Sequence, residues 1–282
     1  MKQKSILITG CSSGIGLEAA LTLSQRGHHI IACCRKEQDV NKLLALGIDS
    51  LQMDMNDELS ITTAVAKALA KTRGRLDILI NNAGFGQAGA LEDLSRDALR
   101  QQFETNVFGL MDLTRQIIPV MRQQGHGRII NISSVLGLIA LPFRGAYNAS
   151  KYAVEGLSDT LRLELKSSKI KVISIEPGPI ASRFRDNTLD YSLKKINLEK
   201  SYFHQQYQSM QTDFRTKKEQ SFFTKAPKAV IQKLIHASES PKPKLKYPVT
   251  FPAHLFSLLK RILSTKMLDR VLNFISKKEL GS

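Results

Sequence analysis

Tyr147 and Lys151 bracket the stretch Tyr147-Asn148-Ala149-Ser150-Lys151, and their i, i+4 spacing puts a phenol and an amine on one face of a helix. An ammonium within about 4–6 Å favours the phenolate and lowers a phenol pKa from its reference near about 10. The pair therefore predicts a proton donor and acceptor for use near neutral pH. Spacing alone does not single it out, because Tyr191 and Lys195 repeat it. Context separates the two. Thirteen residues before Tyr147 stands Ser134, at the end of the apolar run Ile129-Ile130-Asn131-Ile132, where its hydroxyl could meet the phenol; thirteen before Tyr191 is Gly178, with no side chain to offer. Tyr191 and Lys195 read as a solvated helix face.

A second constellation follows the first apolar run, in Thr9-Gly10-Cys11-Ser12-Ser13-Gly14-Ile15-Gly16. Glycines at this spacing permit positive φ, let a backbone approach a pyrophosphate and place the anion at a helix N-terminus. Such a turn after a first strand is a variant of the dinucleotide fingerprint, with Gly10, Ser12, Ser13, Gly14, Ile15 and Gly16 as the cofactor-binding candidates. In these folds a carboxylate closing the second strand binds the ribose 2′-hydroxyl, and a basic residue there accommodates a 2′-phosphate. Here the run Ile30-Ile31-Ala32-Cys33-Cys34 leads into Arg35 and Lys36, with no carboxylate before Glu37. Arg35 thus favours NADP(H), and Glu37 leaves room for NAD(H). Asp54, closing the third strand, is a candidate for the adenine end.

These residues need a scaffold, and the chain supplies its pattern. Apolar runs near 4–9, 28–34, 49–53, 76–81, 126–132 and 170–176 alternate with helix-period segments near 14–26, 58–73, 97–123 and 146–168, which predicts an α/β, doubly wound parallel sheet of Rossmann-like type. Beyond Pro177-Gly178 the pattern changes. Residues 182–225 are polar and aromatic, as a substrate lid would be; 226–238 reads as a helix, Leu245 to Tyr247 as a short strand, and 253–278 as a basic amphipathic helical stretch. The expected organisation is one catalytic domain over 1–248 that includes the lid, and a tail over 249–282.

With 282 residues, 42% of them apolar, the chain can bury a full core and is neither a disordered tail nor a disulfide mini-protein. Cys11, Cys33 and Cys34 form no C-x-x-C pair, so no zinc site or disulfide framework is expected, and no metal is required. A reducing, cytoplasmic setting is the default. The net charge of +16 is uneven: residues 1–182 carry 21 basic and 17 acidic side chains, and 183–282 carry 20 and 8. No run of 18 apolar residues exists, so any membrane contact is expected to be peripheral, at an inner membrane face. The apolar stripe of the tail (Leu255, Leu258, Leu259, Ile262, Leu263, Met267, Val271, Leu272, Ile275) suits protein or lipid better than phosphate, so nucleic acid is not expected as a partner.

In order and spacing these motifs resemble the short-chain dehydrogenase/reductase family: Thr9 to Gly16, Asn81-Asn82-Ala83-Gly84, Asn106, Ser134, Tyr147-x-x-x-Lys151 and Pro177-Gly178. The stretch from Ser133 to Tyr147 resembles its retinol and 17β-hydroxysteroid dehydrogenase branch, and the whole chain, with Pro-Lys-Leu-Lys-Tyr-Pro-Val at 243–249, is similar to a bacterial NADP-dependent aldehyde reductase of that branch. The resemblance implies Tyr147 as general acid, Lys151 holding the nicotinamide ribose and tuning the phenol, Ser134 on the substrate oxygen, and Asn106 placing a water in a proton relay. It also implies a cofactor cleft lined by Asn82, Ala83, Gly84, Pro177, Gly178, Ile180 and Ser182, with Ser182 standing where the family usually has threonine.

The expected function is hydride transfer from NADPH to an apolar aldehyde or ketone, reversible to alcohol oxidation. Two alternatives stand beside it: a 3-oxoacyl-thioester reductase, disfavoured by the roughly 100 residues after Pro177-Gly178, and a membrane-docking sensor that binds NADPH without turnover, for which an intact catalytic set has no use. The resemblance also implies a homodimer as one expectation, since members of the family often pair through helices near 97–123 and 146–168. Cys11 is weighed between an oxidation switch and a buried filler. Met210, with Phe203, Tyr207 and Phe214, forms a stripe that could pack on the body or line a pocket.

Overall fold

Ile6-Leu7-Ile8, Ile30-Ile31-Ala32, Ile78-Leu79-Ile80 and Ile129-Ile130 are buried on both sides, the condition for central strands of a parallel sheet covered by helices. The structure, a computed structural model, describes residues 2–181, 184, 188, 192, 196–216 and 224–280, with only the backbone described at 212–216 and 277–280. Its strands are β1 (Ser5–Thr9), β2 (His29–Cys34), β3 (Asp49–Gln52), β4 (Ile78–Asn81), β5 (Gly127–Ile132), β6 (Ile170–Glu176) and β7 (Lys246–Pro248). They form one parallel sheet in the order β3-β2-β1-β4-β5-β6-β7. This is the doubly wound fold that the alternation predicts, with the short strand at 245–247 placed as a seventh, edge strand.

The described helices are α1 (Gly14–Gln25), α2 (Glu37–Ala45), α3 (Glu58–Lys71), α4 (Arg96–Phe103), α5 (Gly109–Gln124), α6 (Gly145–Glu164), α7 (His204–Thr216), α8 (Lys228–Glu239), α9 (Phe251–Ile262) and α10 (Thr265–Leu280). Ala19, Ala20, Leu23, Val40, Leu43, Val230 and Leu234 bring α1, α2 and α8 onto one face of the sheet. Ile61, Val65, Leu113, Ile117, Met121 and Leu161 bring α3, α5 and α6 onto the other.

Three features differ from the sequence reading. α2 is an additional nine-residue helix between β2 and β3, facing the core with Val40 and Leu43. The helix expected over 97–123 is interrupted by a π turn at Glu104–Phe108, between α4 and α5. The tail is two helices, because Leu263 adopts an extended conformation (φ −90°, ψ 142°) and the carbonyl of Ser264 begins a new turn by accepting from Met267 N and Leu268 N.

The aromatic stripe packs on the body. Tyr207 is 1% exposed, its hydroxyl donates to Asp93 Oδ2 and accepts from Ala90 N, both at 2.8 Å, and Phe143 meets the Phe203 and Tyr207 rings edge-on. Met210 packs against the same cluster, and the side chain of Phe214 lies outside the described residues, as do Tyr191 and Lys195.

α5 approaches the β3 end closely enough that a Cβ on Gly109 would lie 2.0 Å from Met55 O, whereas nothing lies within 4 Å of a Cβ on Gly156 in α6. Gly109→Ala is therefore expected to cost about 1–3 kcal/mol of stability, and Gly156→Ala to be neutral or stabilising by up to about 1 kcal/mol. Denaturant unfolding of both variants tests the packing.

Candidate active site

At the carboxyl edge of the sheet, β1 and β4 lie side by side while their following helices go to opposite faces, the switch point where such folds open a crevice. Gly10 (φ +72°) and Gly14 (φ +58°) turn the chain from β1 into α1. A Cβ at Gly10 would lie 2.8 Å from Ala83 Cα, and one at Gly16 only 2.2 Å from Gly10 O, so the loop lies flush against the β4 end. Asn82 fastens it: its Nδ2 donates to Thr9 O (2.9 Å) and Gly10 O (3.1 Å), while Thr9 Oγ1 accepts from Asn82 N (3.0 Å) and Ala83 N (2.9 Å). Asn82 thus shapes the cleft with its amide turned to the loop. α1 has no acidic residue in its first turn, and its N-cap Ser13 makes no capping bond through its side chain. A helix N-terminus of this kind, behind a loop with no room for a Cβ at Gly10 or Gly16, fits a dinucleotide pyrophosphate.

Ser12 is exposed and Ser13, Gly14 and Ile15 are partly so. Arg35 is exposed just beyond β2, its carbonyl tied to Gln52 Nε2 at 3.1 Å. Asp54 accepts from Asn56 N at 3.0 Å and so shapes its own turn, at the sheet edge expected to face adenine. Cys11 is a buried filler whose thiol donates to Ile8 O and is pushed well up in pKa by burial. Pro177 and Gly178 leave β6, with a Cβ on Gly178 blocked by Thr250 Oγ1 at 2.1 Å. Ile180 bridges to Lys225, and Ser182 lies outside the described residues.

Tyr147, on the first turn of α6, meets Ser134 from the β5 end. The Ser134 hydroxyl hydrogen-bonds the phenol, accepts from Leu136 N (3.1 Å) and lies 3.5 Å from Pro177 O. The serine therefore caps the 3₁₀ turn Val135–Gly137 and addresses Tyr147 at once. Lys151 is 5% exposed; its Nζ donates to Ile132 O at 2.7 Å and lies 5.7 Å from the Tyr147 ring centroid. Spacing predicts a phenol lowered by that ammonium, and the structure reverses the sign. Burial pushes Tyr147 up to about 12, against the opposing Ser134 hydrogen bond and Arg144 charge, and pushes Lys151 down to about 8 despite the Glu155 carboxylate. The lysine is anchored on a carbonyl under the ring, and desolvation of both groups outweighs their attraction.

Asn106 sits in the π turn, 1% exposed, where the widened helix swings its amide inward. Its Oδ1 accepts from Phe85 N (3.1 Å), and its Nδ2 donates to Phe85 O and Ser150 Oγ, both at 3.0 Å. Ser150 Oγ in turn donates to Tyr147 O (2.8 Å). The structure therefore brings the buried Asn106, Ser150, Lys151 and Ser134 together around the half-buried Tyr147.

Several neighbours carry no spacing signal. Asn81 Nδ2 donates to Thr114 Oγ1 (3.0 Å) and Asn131 Oδ1 (2.9 Å), and Asn131 Nδ2 to Ser158 Oγ (2.8 Å), a buried chain from α5 to α6 across β4 and β5. Glu155, one turn past Lys151, accepts from Lys246 Nζ at 2.7 Å, and burial together with Glu155 raises the Glu176 carboxyl to about 7. The wall above Tyr147 is apolar: its ring lies 5.5 Å from that of Phe184, and Leu141, Phe256, Leu259, Leu268, Val271 and Ile275 pack in the same cluster. Apolar periodicity marks the tail residues but not their destination.

Residues 4–191 match the short chain dehydrogenase family. The chain belongs to that family. An uncharacterized oxidoreductase of Escherichia coli K12, YbbO, is 44% identical over 270 residues, covering 96% of this chain and 94% of that protein. Human 17-beta-hydroxysteroid dehydrogenase type 1 is 32% identical over 263 residues, covering 89% and 78%. In fold, a short chain dehydrogenase of Burkholderia cenocepacia, solved in complex with NADP, superposes with a TM-score of 0.75 at 22% identity over 96% of this chain and 98% of that one. This short-chain dehydrogenase is an oxidoreductase of the retinol and 17β-hydroxysteroid dehydrogenase-like branch.

Because folding lowers the Lys151 pKa from 10.5 to about 8, the unfolded chain holds that proton more tightly between these values. The cost of burying the ammonium is present below about pH 8 and is relieved as pH rises towards 10.5. Relative to Lys151→Met, the wild type is expected to gain up to about 3 kcal/mol of stability across that window, read as diverging denaturant midpoints; parallel curves would contradict the burial argument.

Proposed function

We propose that this short-chain dehydrogenase reduces apolar aldehydes and ketones with NADPH. The observation that carries the reading is the half-buried Tyr147 phenol, kept protonated through the neutral range, hydrogen-bonded to Ser134 and roofed by apolar side chains. Gly10, Ser12, Gly14, Ile15 and Gly16 would hold the pyrophosphate, Arg35 and Ser13 the 2′-phosphate, Asp54 the adenine end, and Ala83, Gly84, Pro177, Gly178, Ile180 and Ser182 the nicotinamide side. Bound there, NADPH supplies the hydride.

Ser134 and Tyr147 donate hydrogen bonds to the substrate oxygen, and Tyr147 releases its proton to that oxygen as charge develops on it. A phenol that burial holds near 12 carries this proton throughout the neutral range, as the reductive step requires. Once the proton has left, the Lys151 charge and the Ser134 hydroxyl stabilise the phenolate. Asn106 is a positioning residue, acting on α6 through Ser150. The apolar roof and the steroid named in the human relative support a lipophilic substrate. Arg35 and the absence of a carboxylate before Glu37 support NADPH.

The test is the loss of NADPH near-ultraviolet absorbance on adding medium- and long-chain aldehydes, with NADH in parallel. Tyr147→Phe is expected to lower the rate by about 10²–10⁴-fold. Arg35→Ala is expected to lower kcat/KM with NADPH by about 10- to 100-fold and to leave NADH use nearly unchanged. Equal losses with both cofactors would overturn the NADPH assignment, and absence of turnover with any aldehyde or ketone would overturn the reading as a whole.

A further inference from the structure

α9 and α10 are apolar on two adjacent faces, and the fold buries only one of them. Phe256 and Leu259 of α9, with Leu268, Val271, Leu272 and Ile275 of α10, form the wall that includes Tyr147. On the neighbouring face of α9, Leu255, Leu258 and Ile262 follow at i, i+3 and i+7 and are 37%, 56% and 66% exposed. On α10, Met267 and Phe274 at i and i+7 are 50% and 75% exposed. Large side chains left in water along two consecutive helices that already have a buried face are not accounted for by packing among the described residues.

The charges beside them identify what would cover them. Arg261, Lys266 and Arg270 are exposed, whereas Lys260 turns back to the body with its Nζ 4.6 Å from the Tyr152 ring centroid, and Asp269 is the sole acidic residue between 249 and 276. A second copy seated on the same face would bring these cations against one another. Nucleic acid would leave the apolar residues wet. An anionic bilayer takes both components, the apolar side chains below its headgroups and the cations among its phosphates. No described helix is long and apolar enough to cross a membrane, so the contact lies along the surface. We propose that the outward face of α9 and α10, centred on Leu255, Leu258, Ile262, Met267 and Phe274, is a docking surface for an anionic lipid bilayer. The inner face of the same helices roofs Tyr147, so docking sets the reaction chamber against the bilayer; on the reductase reading, a lipophilic carbonyl compound passes between them with little exposure to water.

The chain has no tryptophan, which makes single-tryptophan reporters clean. Ile262→Trp and Phe274→Trp are mixed with vesicles of phosphatidylcholine alone or with phosphatidylglycerol, and Leu59→Trp in α3, replacing a side chain 73% exposed elsewhere, serves as the control. With anionic vesicles the first two are expected to blue-shift and to be quenched by brominated acyl chains, and Leu59→Trp to do neither. Lys266→Glu with Arg270→Glu is expected to weaken vesicle partitioning about 10-fold or more, and Leu258→Ser with Phe274→Ser to weaken it further. Binding needs no turnover, so failure here is separable from failure of the reductase reading. The docking is overturned if the reporters stay unquenched with anionic vesicles, if both pairs of substitutions leave partitioning unchanged, or if the reporters blue-shift without lipid as the chain dimerises.

Discussion

The close approach of Gly10 to the Ala83 backbone, and of Gly16 to the Gly10 carbonyl and the Asn82 amide, is the constraint on which the rest of the site depends. With a Cβ excluded on both sides, β1 and β4 can end at the same height and send their chains to opposite faces of the sheet. That divergence opens the crevice, aims the first turn of α1 into it, and sets β5 next in order so that Ser134 arrives opposite α6. Asn82 and Thr9 add hydrogen bonds that tie the loop to β4, so the cradle is held from outside itself. The cost of such an arrangement is strict steric complementarity at a few backbone positions, and glycine is the residue type that meets it.

A second principle governs the chemistry. Tyr147 and Lys151 are taken out of water together, and the apolar enclosure that would suit a lipophilic substrate also moves both groups towards their neutral forms. The Ser134 hydroxyl, the Ile132 carbonyl and the Glu155 charge are the local polar contacts that offset this desolvation. The 3₁₀ turn at Val135–Gly137 seals the arrangement, since a Cβ on Gly137 would meet Lys151 O at 2.9 Å and Glu155 Cγ at 3.1 Å.

Legibility in the sequence follows the range of the interactions. The six apolar runs of the main sheet and the glycine turn were readable because strand burial and backbone conformation are written in local residue types. Tyr147, Lys151 and Ser134 were readable because one helical turn and one strand end fix their neighbourhood. The sign of the Tyr147 shift was not, because spacing reports proximity and carries no information on desolvation. α2 escaped because nine residues between two strands also suit a connector, and the break at Leu263 because both halves of the tail share one amphipathic pattern. The Asn81–Asn131–Ser158 chain and the Glu155–Lys246 pair join distant elements, and nothing periodic marks them.

The π turn at Glu104–Phe108 carries a consequence for how this helix can change length. A deletion in a regular α-helix rotates everything beyond it by about 100°, which for α5 would carry Leu113, Ile117 and Met121 out of the core. The π turn holds one residue more than an α turn would. Losing that residue would leave α4 and α5 in phase, with both apolar faces still directed inward, and would displace chiefly Asn106 from Phe85 and Ser150. The fold thus confines tolerance to shortening to the one turn that presents Asn106 to the site, so that in this helix architecture and active-site geometry can be gained or lost separately.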